Sequence, residues 1–142
     1  MYVIIVGAGR VGTAVARRLL EVDQEITVIE RDPGRCAALE SEIGGVVVQG
    51  DATEFNVLAK AGAMRAQVLI ATGRRDHENL VVCQMAKNLF NVGRVMSIVN
   101  VSEHIELFDR LEIDVSIDAS LMFVDSFMNG MEELLDEETG GA

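Results

Sequence analysis

Tyrosine occurs once in this chain, at Tyr2, and histidine twice, at His77 and His104, so few of the side chains that usually move protons are present. Tyr2 falls in the first predicted strand, which makes a Tyr-x-x-x-Lys proton relay impossible. His77 is expected at a helix start between Asp76 and Glu78, and His104 on a late helix; neither is joined by an apparent substrate domain. No serine or cysteine elbow, paired carboxylate motif or metal-ligand cluster stands above background, which argues against an enzyme. Cys36 and Cys83, the two cysteines, lie on predicted helices without metal-ligand spacing and read as buried thiols, not as a disulfide or zinc site. Although 49% of the residues are hydrophobic, no uninterrupted apolar stretch approaches the ~18 residues that a membrane helix needs. The first strand begins at residue 2 and leaves no room for a signal peptide, so the expectation is a soluble cytosolic chain. Lysine is confined to Lys60 and Lys87, which reads as a solvated acidic surface, with a salt-rich cytoplasm as the alternative. A formal charge of −11 disfavours contacts with a phosphate backbone and hence a nucleic-acid partner.

What is present starts at once. The apolar run Tyr2 to Val6 leads into Gly7-Ala8-Gly9-Arg10-Val11-Gly12 and then into a helix-forming run from Thr13 to Leu20. In such a loop Gly7 makes the tight turn off the strand, Gly9 lets backbone approach a pyrophosphate, and Gly12 lets helix and strand pack closely. The helix N-terminus then offers unpaired N–H groups and a positive dipole end to phosphates. A second apolar strand, Ile26 to Ile29, closes at Glu30. That carboxylate stands at roughly the ~20-residue spacing expected of the acid that holds a ribose hydroxyl. Together these features predict a dinucleotide or adenine-nucleotide site.

Strands and helices alternate through the rest of the chain. The Asp32-Pro33-Gly34 step puts proline in the first turn of a helix through Glu42, and Gly44-Gly45 ends it. Further strands are expected at Val46–Val48, Val68–Ala71, Val95–Val99 and Val115–Ile117, with helices at Glu54–Ala61, His77–Leu89 and Glu103–Leu111. Strands that are apolar throughout are covered on both faces, which predicts an α/β, Rossmann-like, doubly wound parallel sheet of six strands in the order 3-2-1-4-5-6. Its ligand crevice lies beside strands one and four. At 142 residues the chain is too short for a Rossmann unit plus a substrate domain. Residues 1–118 are expected to form the nucleotide-binding unit and 119–142 a C-terminal helix, with a frayed tail from Glu137.

The third strand leads into Gly50-Asp51-Ala52-Thr53 and then Leu58-Ala59-Lys60-Ala61-Gly62-Ala63. With the glycine loop, Glu30, Ala71-Thr72-Gly73 and Asp76-His77-Glu78-Asn79-Leu80, these segments resemble the TrkA-N or RCK family of potassium-transport regulators. Leu107 to Val115 resembles the family's late helix and strand, and the likeness is closest to the TrkA-type regulatory subunit. The resemblance implies that Gly7, Ala8, Gly9, Arg10, Val11 and Gly12 form the pyrophosphate loop and that Glu30 accepts from the adenosine ribose. The negative charge of Glu30 favours NAD, as NAD+ or NADH, over NADP, and the neighbouring Arg31 could weaken that discrimination. Asp51 and Ala52 would border the adenine; alternatively Asp51 or Thr53 merely caps the next helix. Thr72 and Gly73 would touch phosphate or the distal ribose. Arg74-Arg75 and Ser97 depart from the family pattern, Ser97 standing where relatives often carry arginine, and Arg74 is the candidate to replace that charge. ATP or ADP is the alternative ligand, because adenosine and its phosphates are common to both readings.

In the last segment Leu121, Phe123, Val124, Phe127, Met128, Met131, Leu134 and Leu135 recur at three- and four-residue steps, one wide apolar helix face. The sheet leaves little uncovered face to absorb it, and in RCK domains the corresponding helix crosses to a partner protomer. The resemblance therefore implies a homodimer or higher RCK assembly through residues 119–135, attached at the cytoplasmic face of a membrane-embedded potassium transporter or channel.

Overall fold

Every residue of the segment Val3-Ile4-Ile5 is buried, with Val3 and Ile5 in one apolar cluster and Ile4 in another. That alternation requires cover on both faces of a strand. The computed structural model, which describes residues 1–44 and 46–140, supplies it. Strands β1 (Tyr2–Val6), β2 (Glu25–Glu30), β3 (Val47–Gln49), β4 (Val68–Ala71), β5 (Arg94–Val99) and β6 (Val115–Asp118) form one sheet. Every neighbouring pair is parallel and the order is β3-β2-β1-β4-β5-β6, as the sequence predicts.

Between the strands run α1 (Arg10–Glu21), α2 (Pro33–Ile43), α3 (Phe55–Lys60), α4 (Asp76–Phe90) and α5 (Ile105–Arg110), and α6 (Ala119–Gly140) follows β6. Ala16 of α1 and Leu39 of α2 pack on the face that buries Val3, Ile5, Ile26 and Val28. Leu58 of α3, Val82 and Cys83 of α4 and Phe108 of α5 pack on the opposite face with Ile4, Leu69 and Val95. Pro33 sits in the first turn of α2, where its missing N–H costs nothing, and Asp32 caps that helix by accepting from Arg35 N at 2.8 Å. Gly44, at φ 76°, ends α2; Gly45, the other half of the expected terminator, lies outside the described residues.

Several element ends differ from the sequence reading, most by one residue, and three of the differences have a visible cause. β3 lies one residue later, at Val47–Gln49, and Val46 only lends its carbonyl to Val28 N. The helix expected over Glu103–Leu111 is divided into a 3₁₀ turn, Ser102–His104, and α5, because Asp76 engages both Val101 N and His104. The tail expected to fray from Glu137 is helical through Gly140, with Thr139 Oγ1 donating back to the Leu135 carbonyl at 3.0 Å; Gly141 and Ala142 lie outside the described residues.

The chain finishes β3 at one edge, returns across the sheet and lays β4 against the free side of β1. The connections after β1 and β4 therefore diverge, and a crevice opens at their carboxyl ends. Two glycines set its floor. Gly7 has φ 105°, and a Cβ on Gly12 would lie 2.0 Å from the Gly7 carbonyl oxygen, so α1 can seat on β1 only without one. Gly12→Ala should therefore destabilise the fold by at least about 2 kcal/mol in urea unfolding. Gly9→Ala, where an added Cβ meets nothing within 4 Å, should stay within about 1 kcal/mol of wild type. Equal losses in the two variants would contradict this account of the loop.

Candidate functional site

The crevice is a cleft of about 1390 Å³. It is lined by Gly7, Ala8, Gly9, Arg10 and Val11 from the loop and first turn of α1, by Glu30 and Arg31 from the end of β2, by Asp51 and Ala52 after β3, and by Thr72, Gly73 and Arg74 after β4. The parallel register brings these segments to one edge, since Val6 is level with both Ile29 and Ala71. Gly12 is the exception among the sequence candidates: it is buried beneath the loop and shapes the cleft without lining it.

Charge is concentrated here. Six of the chain's ten arginines line the cleft, namely Arg10, Arg17, Arg31, Arg35, Arg74 and Arg75, against four acids, Glu30, Asp32, Asp51 and Glu78. In a chain of net charge −11 that local excess of cation is a feature suited to an anionic ligand. The N-terminus of α1 adds to it, because Gly9 is the N-cap and no side chain satisfies the first-turn amides. The residues present fit a nucleotide pyrophosphate: a Cβ on Gly9 would project into open space, and the absence of one leaves the backbone approachable.

Glu30 already has work in this structure. Its Oε1 accepts from Ala8 N at 2.9 Å and its Oε2 from Asp32 N at 2.9 Å, with Arg35 3.8 Å from Oε1. A carboxylate has about four acceptor positions, so capacity remains for sugar hydroxyls. Arg31 is not a free cation: it spans the cleft to Glu78 at 2.7 Å and stands 3.6 Å from Asp51. Neither Asp51 nor Thr53 caps α3, contrary to the alternative left open by the sequence. The N-cap is Glu54, without a side-chain bond, and the Asp51 carboxylate closes its own turn by accepting from Thr53 N at 2.9 Å and Thr53 Oγ1 at 2.7 Å. The hydrogen bonds from Thr53, the side-chain bond foremost, outweigh burial and hold the Asp51 carboxyl below its ordinary value. Thr72 turns inward and donates to the Val6 carbonyl at 2.8 Å, pinning β4 to the end of β1.

On the far side of the cleft, sequence reasoning named Thr72, Gly73 and Arg74 but missed the amides that brace them. Asn79 Oδ1 accepts from Gly73 N at 3.0 Å while its Nδ2 donates to the carbonyls of Gly73 and Ile98. Asn100 Nδ2 donates to the carbonyls of Gly73 at 3.0 Å and Arg74 at 3.1 Å, and its own carbonyl accepts from Ser120 Oγ at 3.2 Å. One residue thus ties the loop after β4 to the root of α6. Its position just past the end of β5 was the available signal, since ligand sites in such sheets gather at the carboxyl ends of strands.

Beneath them Asp76, only 6% exposed, accepts from Asn100 N, Asn100 Nδ2, Val101 N and the His104 ring within 2.7–2.9 Å. His104 is thereby a structural partner of a carboxylate. Burial by itself would raise the Asp76 carboxyl, but these four bonds outweigh it and hold it below its ordinary 3.8. Cys36 and Cys83 are both buried, and burial pushes the Cys83 thiol up to about 12, so neither offers a ready thiolate.

Residues 3–119 match the TrkA-N domain family. The chain is 36% identical over 103 residues to the Trk system potassium uptake protein TrkA homolog of Pyrococcus abyssi, a match spanning 72% of this chain and 44% of that one. Among solved structures, the TrkA-N domain of inner membrane protein ybaL from Escherichia coli superposes with a TM-score of 0.83 over 90% of this chain and 94% of that one; at 20% identity this likeness concerns the fold. GsuK bound to ADP is 26% identical, with a TM-score of 0.79 over 93% of this chain and 34% of that one. The chain spans between 24% and 65% of the length of the curated relatives it matches.

Because the folded pKa of Asp76 lies below the unfolded one, its contribution is complete above the unfolded value and is lost as pH falls through the folded value. The urea midpoint should accordingly hold above pH ~5 and drop below pH ~4. Asp76→Asn should be less stable at neutral pH and should drop less steeply in acid. An unaltered acid slope in that variant would show that another carboxylate sets it.

Proposed function

Because the chain belongs to the TrkA-N domain family, we propose that it is the nucleotide-sensing regulatory part of a potassium uptake system, binding NAD+ or NADH at the glycine-loop cleft and acting through the geometry of a dimer. The observation that carries this reading is the cleft: a helix N-terminus without a side-chain cap, backbone opened by Gly9, and a ring of arginines gathered in an acidic chain. The named potassium uptake proteins among its relatives supply the physiological context.

In this reading Gly7 to Val11 and Arg10 hold the pyrophosphate, Glu30 holds the adenosine ribose, and Asp51 and Ala52 border the adenine. Thr72, Gly73 and Arg74 lie along the distal phosphate and ribose. Glu30 disfavours NADP by repelling a 2′-phosphate, an effect moderated by Arg35 beside it. The same adenosine-directed residues serve the alternative ligands ADP and ATP; the GsuK relative has been solved bound to ADP and also bound to NAD. No step of catalysis is assigned to the site.

Nucleotide reaches the assembly through α6. All of its large apolar side chains are exposed, Phe127 at 74%, and residues 119–135 form the proposed seam with a second copy. Residues 1–118 are then the sensing unit. Binding can bias the transporter only as far as the ligand prefers one dimer geometry over another. In this reading the domain works at the cytoplasmic face through a membrane-embedded partner; among the described residues no helix is long and apolar enough to cross a membrane.

Calorimetry with NAD, NADH, NADPH, ATP and ADP tests the ligand. NAD or NADH should bind most tightly, and Glu30→Ala should weaken binding by about 1–3 kcal/mol. Tighter NADPH would defeat the selectivity argument, and preference for ATP or ADP would put the alternative in its place. Sedimentation across a concentration series tests the seam. Wild type should be dimeric at tens of micromolar by general interface energetics, and Phe127→Asp with Met131→Asp should give a folded monomer, because association would bury unpaired charges. A monomeric wild type would remove the seam.

A further inference from the structure

The cleft does not end at the residues that would serve a nucleoside diphosphate. Past Gly73 the charged lining gives way to Val82, Ile98, Ala119 and Phe123 around the amides of Asn79 and Asn100. Ala119 and Phe123 belong to the first turns of α6, so the helix proposed to carry the signal forms one wall of the site. From β2, where Glu30 stands, to β6, from which α6 departs, the sheet crosses four strand spacings, ~19 Å at about 4.8 Å each. A mononucleotide anchored at Glu30 and the glycine loop covers only part of that distance; a dinucleotide extends along it.

Building on the nucleotide-binding reading, we infer that Phe123 is a ligand-contact and specificity residue: it receives the second base of a dinucleotide on its ring face, in the part of the cleft that Val82, Ile98 and Ala119 also line. Phe123 is 68% exposed in the single chain, its ring is not stacked on another aromatic among the described residues, and it lines the cleft while Phe127 and Met131 do not, so it stands at the cleft end of the proposed seam with a face turned to the site. Stacking of a base on an aromatic ring tolerates any base and needs no hydrogen-bond pattern. Polar recognition of that half falls to Asn100, whose amide nitrogen is fully engaged with the carbonyls of Gly73 and Arg74 and with Asp76, which leaves its Oδ1 as the acceptor on offer. Phe123 thereby separates ligands by length. NAD touches α6, whereas ADP and ADP-ribose, which lack the second base, stop short of it. The contact also explains how a ligand in the sheet crevice can act on a helix that buries none of its own residues.

The test compares NAD with ADP-ribose and ADP by calorimetry on wild type, Phe123→Ala and Phe127→Ala. Truncating an exposed ring leaves the core intact, and circular dichroism and sedimentation confirm equal folding and mass. Phe123→Ala should weaken NAD by at least about fivefold while shifting ADP-ribose and ADP by less than about twofold, and Phe127→Ala, one turn further along and outside the cleft, should leave all three unchanged. Equal weakening of NAD and ADP-ribose by Phe123→Ala, or the same loss in Phe127→Ala, would overturn the contact, since the effect would then pass through the helix or the dimer. An unchanged ratio of NAD to ADP-ribose affinity in Phe123→Ala would overturn this inference alone. A wild-type protein that binds none of the three would overturn the nucleotide reading and this inference with it.

Discussion

Everything in this domain is arranged around the close approach of α1 to the ends of β1 and β4. Gly12 rests on the Gly7 carbonyl at a distance that excludes a Cβ, and Thr72 reaches across from β4 to the Val6 carbonyl. With those contacts made, the first amides of α1 point over the switch point of the sheet, and the ends of β2 and β3 fall into place beside them. A side chain at Gly12 would lift the helix off the strand and take the cleft's floor with it.

Electrostatics follows from that geometry. An acidic chain keeps most of its surface repulsive to anions, yet gathers arginines from α1, α2 and the loops after β2 and β4 around one helix N-terminus. Several are held by acids, Arg31 by Glu78 and Asp51, Arg35 near Glu30, so the cleft is poised with paired charges whose partners an anionic ligand can rearrange. On the other side of the cleft, neutral amides take over. Asn79 and Asn100 brace Gly73, and Asn100 reaches on to Ser120, which makes the loop after β4 and the root of α6 one hydrogen-bonded unit.

The parts legible in the sequence were those in which local chemistry and global fold agree. Wholly apolar strands, glycines at fixed spacing and an acid closing β2 announce the sheet order and the near half of the cleft. In the far half Thr72, Gly73 and Arg74 were legible, but the groups that brace them were not, because those act through long-range contacts. Asn100 and Asp76 meet across 24 residues, and nothing in the local pattern of either marks the pair. The capping alternative at α3 stayed open in the sequence for a related reason: Asp51 and Thr53 bond to each other, a turn geometry that competes with capping and that composition does not resolve. The extent of α6 was underestimated because an acidic, glycine-bearing end resembles a frayed terminus even where helical bonds persist.

The central claim is that nucleotide seated on the glycine loop is felt at the root of α6. Amide NMR of the isotopically labelled protein during titration with NAD measures this most directly. The account predicts that the amides of Ala8 to Val11 and of Gly73 shift most, and that those of Asn100 and of Ser120 to Phe123 shift with the same saturation curve. Perturbations confined to the loop, with α6 silent at full saturation, would contradict it, as would shifts centred on any other edge of the sheet.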